Sequence, residues 1–435
     1  MTGNDKGLEK FVITGGSPVS GTVVPMGSKN EALPAIAACT MTDEPVILRN
    51  VPEIEDVLVM LRIVEAMGGK VDKLEPNVFR IEAKGIDTWR LDENLCRKVR
   101  ASIIFVGPML ARLGRVELPP PGGDVLGRRR LDTHFDGMKA LGAELTVGRT
   151  YYLERQKLKG ADIFLDEASV TATENIIMAA AMSKGKSIIR NAACEPHVQG
   201  LARLLNAMGA KIEGIGTNQL RIEGVKQLKG ADFTIGTDYL EVGSFIGIAA
   251  ATGGELRIER VNRDDMRNIL LNYRKLGVET YFEGKDVLVV PGKRELNIQY
   301  ELHGAVPKID DSPWPQFPTD LMSAAIVIAT QANGTVLFFE KMFDGRMFFV
   351  DHLIAMGARI ILCDPHRVVV AGPAKLYGCR VESPDIRAGM ALVMAGLCAE
   401  GETHIYNVGQ IDRGYESIDV RLNSIGANIE RISLG

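Results

Sequence analysis

Hydrophobic and polar positions along the chain fall into two recurring patterns. The first is an amphipathic helical period, as in Val57 to Ala66 and Val198 to Ala207, followed by alternation of period two, as in Lys211-Ile212-Glu213. Between the two stands a short phrase: Met67-Gly68-Gly69-Lys70-Val71, Leu141-Gly142-Ala143-Glu144-Leu145, Met208-Gly209-Ala210-Lys211-Ile212, Leu276-Gly277-Val278-Glu279-Thr280, Met356-Gly357-Ala358-Arg359-Ile360 and Ile425-Gly426-Ala427-Asn428-Ile429. Its copies are spaced 67 to 80 residues apart, a repeat whose Gly predicts a helix C-cap turning into a strand. The second pattern is a helix apolar on every side: Asn30 to Thr40, Lys98 to Leu113, Val170 to Ser183, Tyr239 to Thr252, Thr319 to Gln331 and Ile386 to Glu400. Such helices have to be buried all round. Units of two helices and several short strands are too long for solenoid turns and predict an α/β protein of six blocks, split three and three.

The six apolar helices begin with polar or charged groups: Lys29 and Asn30, Arg100, Ser169 and Thr171, Asp238 and Glu241, Thr319 and Asp320, Asp385 and Arg387. N-capping accounts for Ser169, Thr319 and Asp385. It does not account for Lys29, Arg100 or Arg387, because a cation at a helix N-terminus is unfavourable without an anion nearby. The sign of the charge therefore favours an anion site where these helices start.

Composition narrows the function classes. The 435 residues are 46% hydrophobic and 24% charged with a net charge of −4, which fits two or three globular domains and disfavours a dedicated nucleic-acid binder. The longest apolar runs, Ser244 to Ala251 and Met322 to Ala329, fall well short of the roughly 18 residues of a membrane span. The first ten residues carry charge and no apolar stretch, so no secretory signal is expected and the cytoplasm is the expected location. The six cysteines form no Cys-x-x-Cys pair and read as reduced and structural. The six histidines show no i, i+4 pair, and no metal site is expected. Neither a dinucleotide-binding glycine motif nor a P-loop occurs. Asp264-Asp265 and Asp310-Asp311 read as turn or surface pairs.

The segment Pro119-Pro120-Pro121-Gly122-Gly123-Asp124-Val125-Leu126-Gly127-Arg128-Arg129-Arg130 combines a stiff proline run, hinge glycines, one carboxylate and three arginines. Two readings of it stay open: a solvated basic turn with Asp124 in a surface ion pair, or a loop closing over a phosphate or carboxylate.

Five motifs in order, Gly27-Ser28-Lys29-Asn30-Glu31-Ala32-Leu33-Pro34, Arg100-Ala101-Ser102, Pro121-Gly122-Gly123, Phe317-Pro318-Thr319-Asp320 and Ile411-Asp412-Arg413-Gly414-Tyr415-Glu416, make the whole chain resemble the enolpyruvyl transferases. The resemblance implies a two-domain inside-out α/β barrel of six βαβαββ-type repeats. One domain would take residues 28–236 with a mobile loop at about 119–130, the other residues 1–27 plus 237–435, with the active site in the cleft. The implied activity moves the enolpyruvyl group of phosphoenolpyruvate to the 3-hydroxyl of UDP-N-acetylglucosamine and releases phosphate, the first committed step of peptidoglycan precursor synthesis, which feeds cell shape and division. Within the resemblance, Asp124, Asp320, Lys29 and Arg413 are catalytic, and Lys29, Asn30, Arg129, Arg387 and Arg413 surround phosphoenolpyruvate and phosphate. The nucleotide sugar falls to Arg100, Arg129, Arg130, Leu131, Asp132, Thr133, Glu167, Ser169, Val170, Asp320 and Met342. The partners are these small molecules; no cofactor, metal, nucleic acid, membrane insertion or obligate protein partner is implied.

Four positions depart from the family pattern. Many members carry Cys where this chain has Asp124, as proton donor to the methylene carbon and target of fosfomycin. An Asp donates that proton only if desolvation outweighs the flanking arginines, and it lacks a thiolate, so fosfomycin insensitivity is expected. Glu167 replaces a Lys and Arg130 a Pro, so Arg130 is expected to restore the missing cation; Cys194 replaces a common Arg with no evident consequence. Two alternatives remain: transfer to another acceptor, such as shikimate 3-phosphate or a nucleoside monophosphate, or a catalytically silent paralogue that binds the UDP-sugar. Retention of Lys29, Arg100, Asp320, Arg387 and Arg413 weighs against silence.

Overall fold

The computed structural model describes residues 9–123, 130–293 and 295–434. These fall into two compact units, one of residues 26–123 and 130–236 and the other of residues 9–25, 237–293 and 295–434.

In the first unit the buried helices Val106–Leu113 and Val170–Ala181 pack on each other, and the segment Arg100–Phe105 that leads into the former lies against both Val170–Ala181 and a third buried helix, Lys29–Cys39. The described residues add three sheets to it, in the strand orders Asp232–Thr234, Val46–Arg49, Val78–Glu82, Lys70–Glu75; Lys211–Glu213, Gln219–Glu223, Lys186–Arg190, Asp162–Phe164; and Arg115–Leu118, Tyr151–Glu154, Glu144–Val147. The helices bury nearly every side chain: Ala32 and Ala35 to Cys39 are all inaccessible to solvent, as are Ile176 to Ala181. The strands bury alternate residues, such as Ser187 and Ile189 of Lys186–Arg190, so each sheet covers the helical centre with one face only.

The second unit repeats this plan with helices Tyr239–Thr252, Met322–Gln331 and Ile386–Cys398. Its described sheets run Arg380–Glu382, Glu402–Tyr406, Glu9–Thr14, Ile429–Ser433; Tyr281–Glu283, Val287–Val290, Leu256–Ile258, Gly21–Val23; and Lys308–Asp310, Gly334–Phe339, Arg367–Gly372, Ile360–Asp364. Small residues set the helix spacing. A Cβ on Gly243 would lie 2.4 Å from Leu321 Cδ1, and one on Gly247 2.7 Å from Met394 Cε. Helices inside and sheets outside is the reverse of an ordinary α/β barrel, and it follows from helices that have no polar face to give to solvent.

The repeated phrase has one conformation throughout: Gly68, Gly142, Gly209, Gly277, Gly357 and Gly426 take φ between 83° and 105°, the left-handed turn that ends each amphipathic helix. Two helices differ from expectation. The stretch Lys98 to Leu113 is a 3-10 helix over Arg100–Phe105 followed by an α-helix over Val106–Leu113. Pro108 has no N–H to bond back to Ile104, so the α-helical ladder begins just before it. Likewise Thr319–Leu321 is a 3-10 turn after Pro318, and the α-helix begins at Met322. No helix among the described residues is long and apolar enough to cross a membrane.

Candidate active site

In the first unit the motif around Lys29 is fixed by close backbone packing. A Cβ on Gly27 would come 1.7 Å from Asn50 O. Ser28 N donates to Gly236 O at 2.7 Å, and Gly236 N donates to Glu31 Oε2 at 3.1 Å. Ser28 caps the helix by accepting from Glu31 N. Lys29 is buried and its Nζ lies 2.8 Å from Asp56 Oδ2, at the first turn of helix Glu55–Ala66. The cation that the helix dipole disfavours therefore has an internal anion. Asn30, next in the helix, is half-buried.

The stretch assigned to the nucleotide sugar is held by a buried polar network. Asn175 Nδ2 lies 3.0 Å from His134 Nδ1, Asn175 also bonds Ile103 O and Gly107 N, and His134 Nε2 lies 3.1 Å from Thr171 Oγ1. Burial, with Arg100 nearby, pushes the His134 pKa down to about 3, so the ring is neutral. With Asn175 as donor, Nδ1 accepts and Nε2–H donates to Thr171. The network ties Arg100–Phe105, the helix starting at Asp132 and the helix starting at Val170 into one frame.

On that frame Thr133 Oγ1 donates to Asp166 Oδ1 at 2.7 Å and reaches Glu167 Oε1 at 3.4 Å. Arg130 pairs with Asp132 at 3.0 Å and Asp166 at 3.3 Å. Its charge is thus already engaged by two carboxylates, with Glu167 in its field. Leu131 sits at the N-cap of the helix beginning at Asp132. Ser169 makes no side-chain cap, contrary to expectation; its carbonyl accepts Thr173 N and Thr173 Oγ1 instead. The base of the proline-glycine loop lies on this region: Gly122 N donates to Cys96 O at 3.0 Å, and a Cβ on Gly123 would come 2.8 Å from Arg100 Cβ. Asp124 and Arg129 lie outside the described residues.

In the second unit the candidate base sits between two arginines. Asp320, 23% exposed at its side chain, accepts from Arg387 Nε at Oδ2 (3.1 Å) and from Arg346 Nη2 at Oδ1. Burial alone would raise its pKa, but Arg387 and Arg346 outweigh that and hold the carboxyl well below the usual carboxylate range. Arg387 is buried; its Nη1 donates to Tyr415 OH at 3.1 Å, and Tyr415 OH lies 3.0 Å from Ser244 Oγ. Asp385 caps the helix by accepting from Arg387 N and Ala388 N. Thr319 does not act as a cap: its Oγ1 donates to the Glu340 carboxyl. Met342 is exposed and donates its N–H to Glu340 Oε1 at 2.9 Å. Arg413 follows the short helix Gly409–Asp412 and donates to Gln410 Oε1 at 2.8 Å.

The structure thus joins Asp320 to Arg387 in the second unit; in the first unit it sets Lys29 against Asp56 and brings Arg130, Asp132, Thr133 and Glu167 together around Asp166. Sequence reasoning missed Asp56 and Arg346 and gave Tyr415 no role. Tyr415 lay in a quoted motif and Arg346 four residues past Met342, but Asp56 carried no signal beyond a polar position at a helix start.

The family EPSP synthase (3-phosphoshikimate 1-carboxyvinyltransferase) matches residues 13–422. A protein of Treponema denticola called UDP-N-acetylglucosamine 1-carboxyvinyltransferase is 56% identical over 423 residues, 97% of this chain and 99% of its own. One of the same name from Bradyrhizobium diazoefficiens is 52% identical, covering 97% and 98%. Among solved structures, the enolpyruvyl transferase NikO from Streptomyces tendae aligns with a TM-score of 0.86 at 22% identity, covering 99% of this chain and 100% of its own. An EPSP synthase from Acinetobacter baumannii aligns at 0.75 and 18% identity over 98% and 100%. These two likenesses carry the fold, and the sequence matches carry the kinship: the chain belongs to the EPSP synthase family of enolpyruvyl transferases.

Proposed function

We propose that the protein transfers the enolpyruvyl group of phosphoenolpyruvate to the 3-hydroxyl of UDP-N-acetylglucosamine, opening peptidoglycan precursor synthesis. The observation that carries the reading is full-length identity of 56% to a relative of that name. Asp320, ionised between Arg346 and Arg387, gives it a proton acceptor. Asp320 takes the proton of the sugar hydroxyl as its oxygen bonds to C2 of phosphoenolpyruvate, and Asp124 protonates the methylene carbon. The tetrahedral adduct then returns a methyl proton to the Asp124 carboxylate as its C2–O bond to phosphate breaks and phosphate leaves. Lys29, Asn30, Arg129, Arg387 and Arg413 carry the phosphate and carboxylate charges, for which a guanidinium fork is suited. Arg100, Arg130 to Thr133, Glu167, Ser169, Val170 and Met342 hold the nucleotide sugar.

The chemistry needs no cofactor or protein partner and takes place in the cytoplasm, where loss of the activity would stop wall growth, shape maintenance and division. Because Asp124 offers no thiolate, the enzyme is insensitive to fosfomycin.

The test is phosphate release from phosphoenolpyruvate and UDP-N-acetylglucosamine, with Asp320→Asn in parallel. A loss of about 10² to 10⁴ in kcat for the variant is expected of a general base. Release with shikimate 3-phosphate but not the UDP-sugar would refute the acceptor, and no release with any acceptor would refute the transfer.

A further inference from the structure

Strands Lys308–Asp310 and Gly334–Phe339 run parallel with Asp310 opposite Phe339. The next residues, Asp311 and Glu340, therefore leave the sheet side by side, and both are 0% exposed. Their carboxyls collect the backbone of the segments around the candidate base. Glu340 Oε1 accepts from Met342 N at 2.9 Å and Phe343 N at 3.0 Å, and Oε2 accepts from Thr319 Oγ1 at 2.9 Å. Asp311 Oδ1 accepts from Lys341 N at 2.6 Å. Asp311 Oδ2 is buried and no N–H or hydroxyl among the described residues reaches it. A buried acceptor left without a donor is costly, and the group beside it is the Glu340 carboxyl.

We propose that Glu340 is a positioning residue that keeps its proton and donates it to Asp311 Oδ2, so that one shared proton clamps Thr319-Asp320 to the Lys341–Arg346 segment. The inference rests on the transferase reading above. Through the clamp, the base Asp320, its partner Arg346 and the sugar-side Met342 keep one geometry.

The charged surroundings agree. Burial first, and Asp311 next, push the Glu340 carboxyl up to about 8, with Arg346 the opposing cation. The other charges nearby are engaged elsewhere: Lys341 and Lys308 on Asp310, Asp344 beside His366 Nε2, and His366 Nδ1 on the Glu340 backbone carbonyl rather than its carboxyl. Two ionised carboxylates in this position would repel each other and open the clamp.

The experiment is the pH dependence of kcat and kcat/KM for phosphate release by wild type, Glu340→Gln and Glu340→Ala, with infrared spectra of each across about pH 6 to 10. Wild type is expected to lose activity on the alkaline side and to lose a protonated-carboxyl C=O band over the same range. Glu340→Gln keeps a permanent donor toward Asp311, so it should be active, lack the band and show no alkaline fall. Glu340→Ala should lose about 10²-fold in kcat, as expected for misplaced catalytic groups. An unchanged alkaline fall in Glu340→Gln, or a Glu340→Gln as slow as Glu340→Ala near neutrality, overturns the positioning role. If wild type turns over no substrate, the transferase reading fails, and the carboxyl band alone then decides the shared proton: its absence overturns it.

Discussion

Arg387 Nε donates to Asp320 Oδ2 at 3.1 Å, so a cation assigned to phosphate also holds the carboxylate assigned to the sugar hydroxyl. A carboxylate held by two arginines is a weak base. When Arg387 turns part of its hydrogen bonding to the substrate phosphate, Asp320 loses stabilisation and its proton affinity rises. The expected result is an acid limb at higher pH in kcat, which reports the bound complex, than in kcat/KM, which reports free enzyme. Coincident acid limbs would count against this exchange. The same pair has a stability side. Asp320's folded pKa is depressed, so its contribution is present above the unfolded value of about 3.9 and is lost as pH falls through the lower folded value.

Asp124 gives the sharpest pharmacological outcome. Wild type should resist time-dependent inactivation by fosfomycin, and Asp124→Cys should acquire it, because a thiolate opens the epoxide where a carboxylate does not. Residual activity after timed incubation and dilution measures both.

The neutral His134 makes the first unit acid-sensitive. Its folded pKa is about 3 against 6.5 for the free side chain. Between those values the unfolded chain binds more protons, so stability rises with pH across that window and falls as pH drops through it. The slope from this group approaches about 1.4 kcal/mol per pH unit. His134→Asn should flatten the dependence of the urea midpoint between about pH 4 and 6.5 while lowering stability near neutrality.

Gly200 lies against the motif that carries Lys29. A Cβ there would sit 2.3 Å from the Glu31 carboxyl, whose Oε2 accepts from Gly236 N. Gly200→Ala should therefore cost about 1 to 3 kcal/mol by overpacking, visible as a lower Tm, and should raise KM for phosphoenolpyruvate by shifting Lys29.

Much of this architecture was legible because it is periodic. The six phrase glycines announced six left-handed turns, and all-apolar stretches such as Tyr239 to Thr252 announced helices with no solvent face. What stayed hidden depends on partners far apart in the chain. Lys29 looked like a cation awaiting a ligand, but Asp56 reaches it from another helix. Arg387 looked the same until Asp320 was placed beside it. Ser169 and Thr319 had the composition of caps, yet Ser169 makes no side-chain cap and Thr319 turns to Glu340. Local propensity names the residue types at a helix start, and only tertiary structure decides which hydrogen bond they make.

The strand Glu9–Thr14 lies between Glu402–Tyr406 and Ile429–Ser433, and Arg431 pairs with Glu9 at 2.9 Å across a sequence separation of 422. On the ribosome this strand emerges well before either of its neighbours in the sheet. The described residues 26–123 and 130–236 form a unit of their own, whose core can be completed before either partner strand is made. Until both partners arrive, Glu-Lys-Phe-Val-Ile-Thr carries two unpaired edges and two apolar side chains, Phe11 and Ile13, destined for full burial. Translation thus leaves a sticky strand exposed for most of the chain's length, which makes this sheet the place where a nascent molecule is open to chaperone capture or to pairing with a second copy.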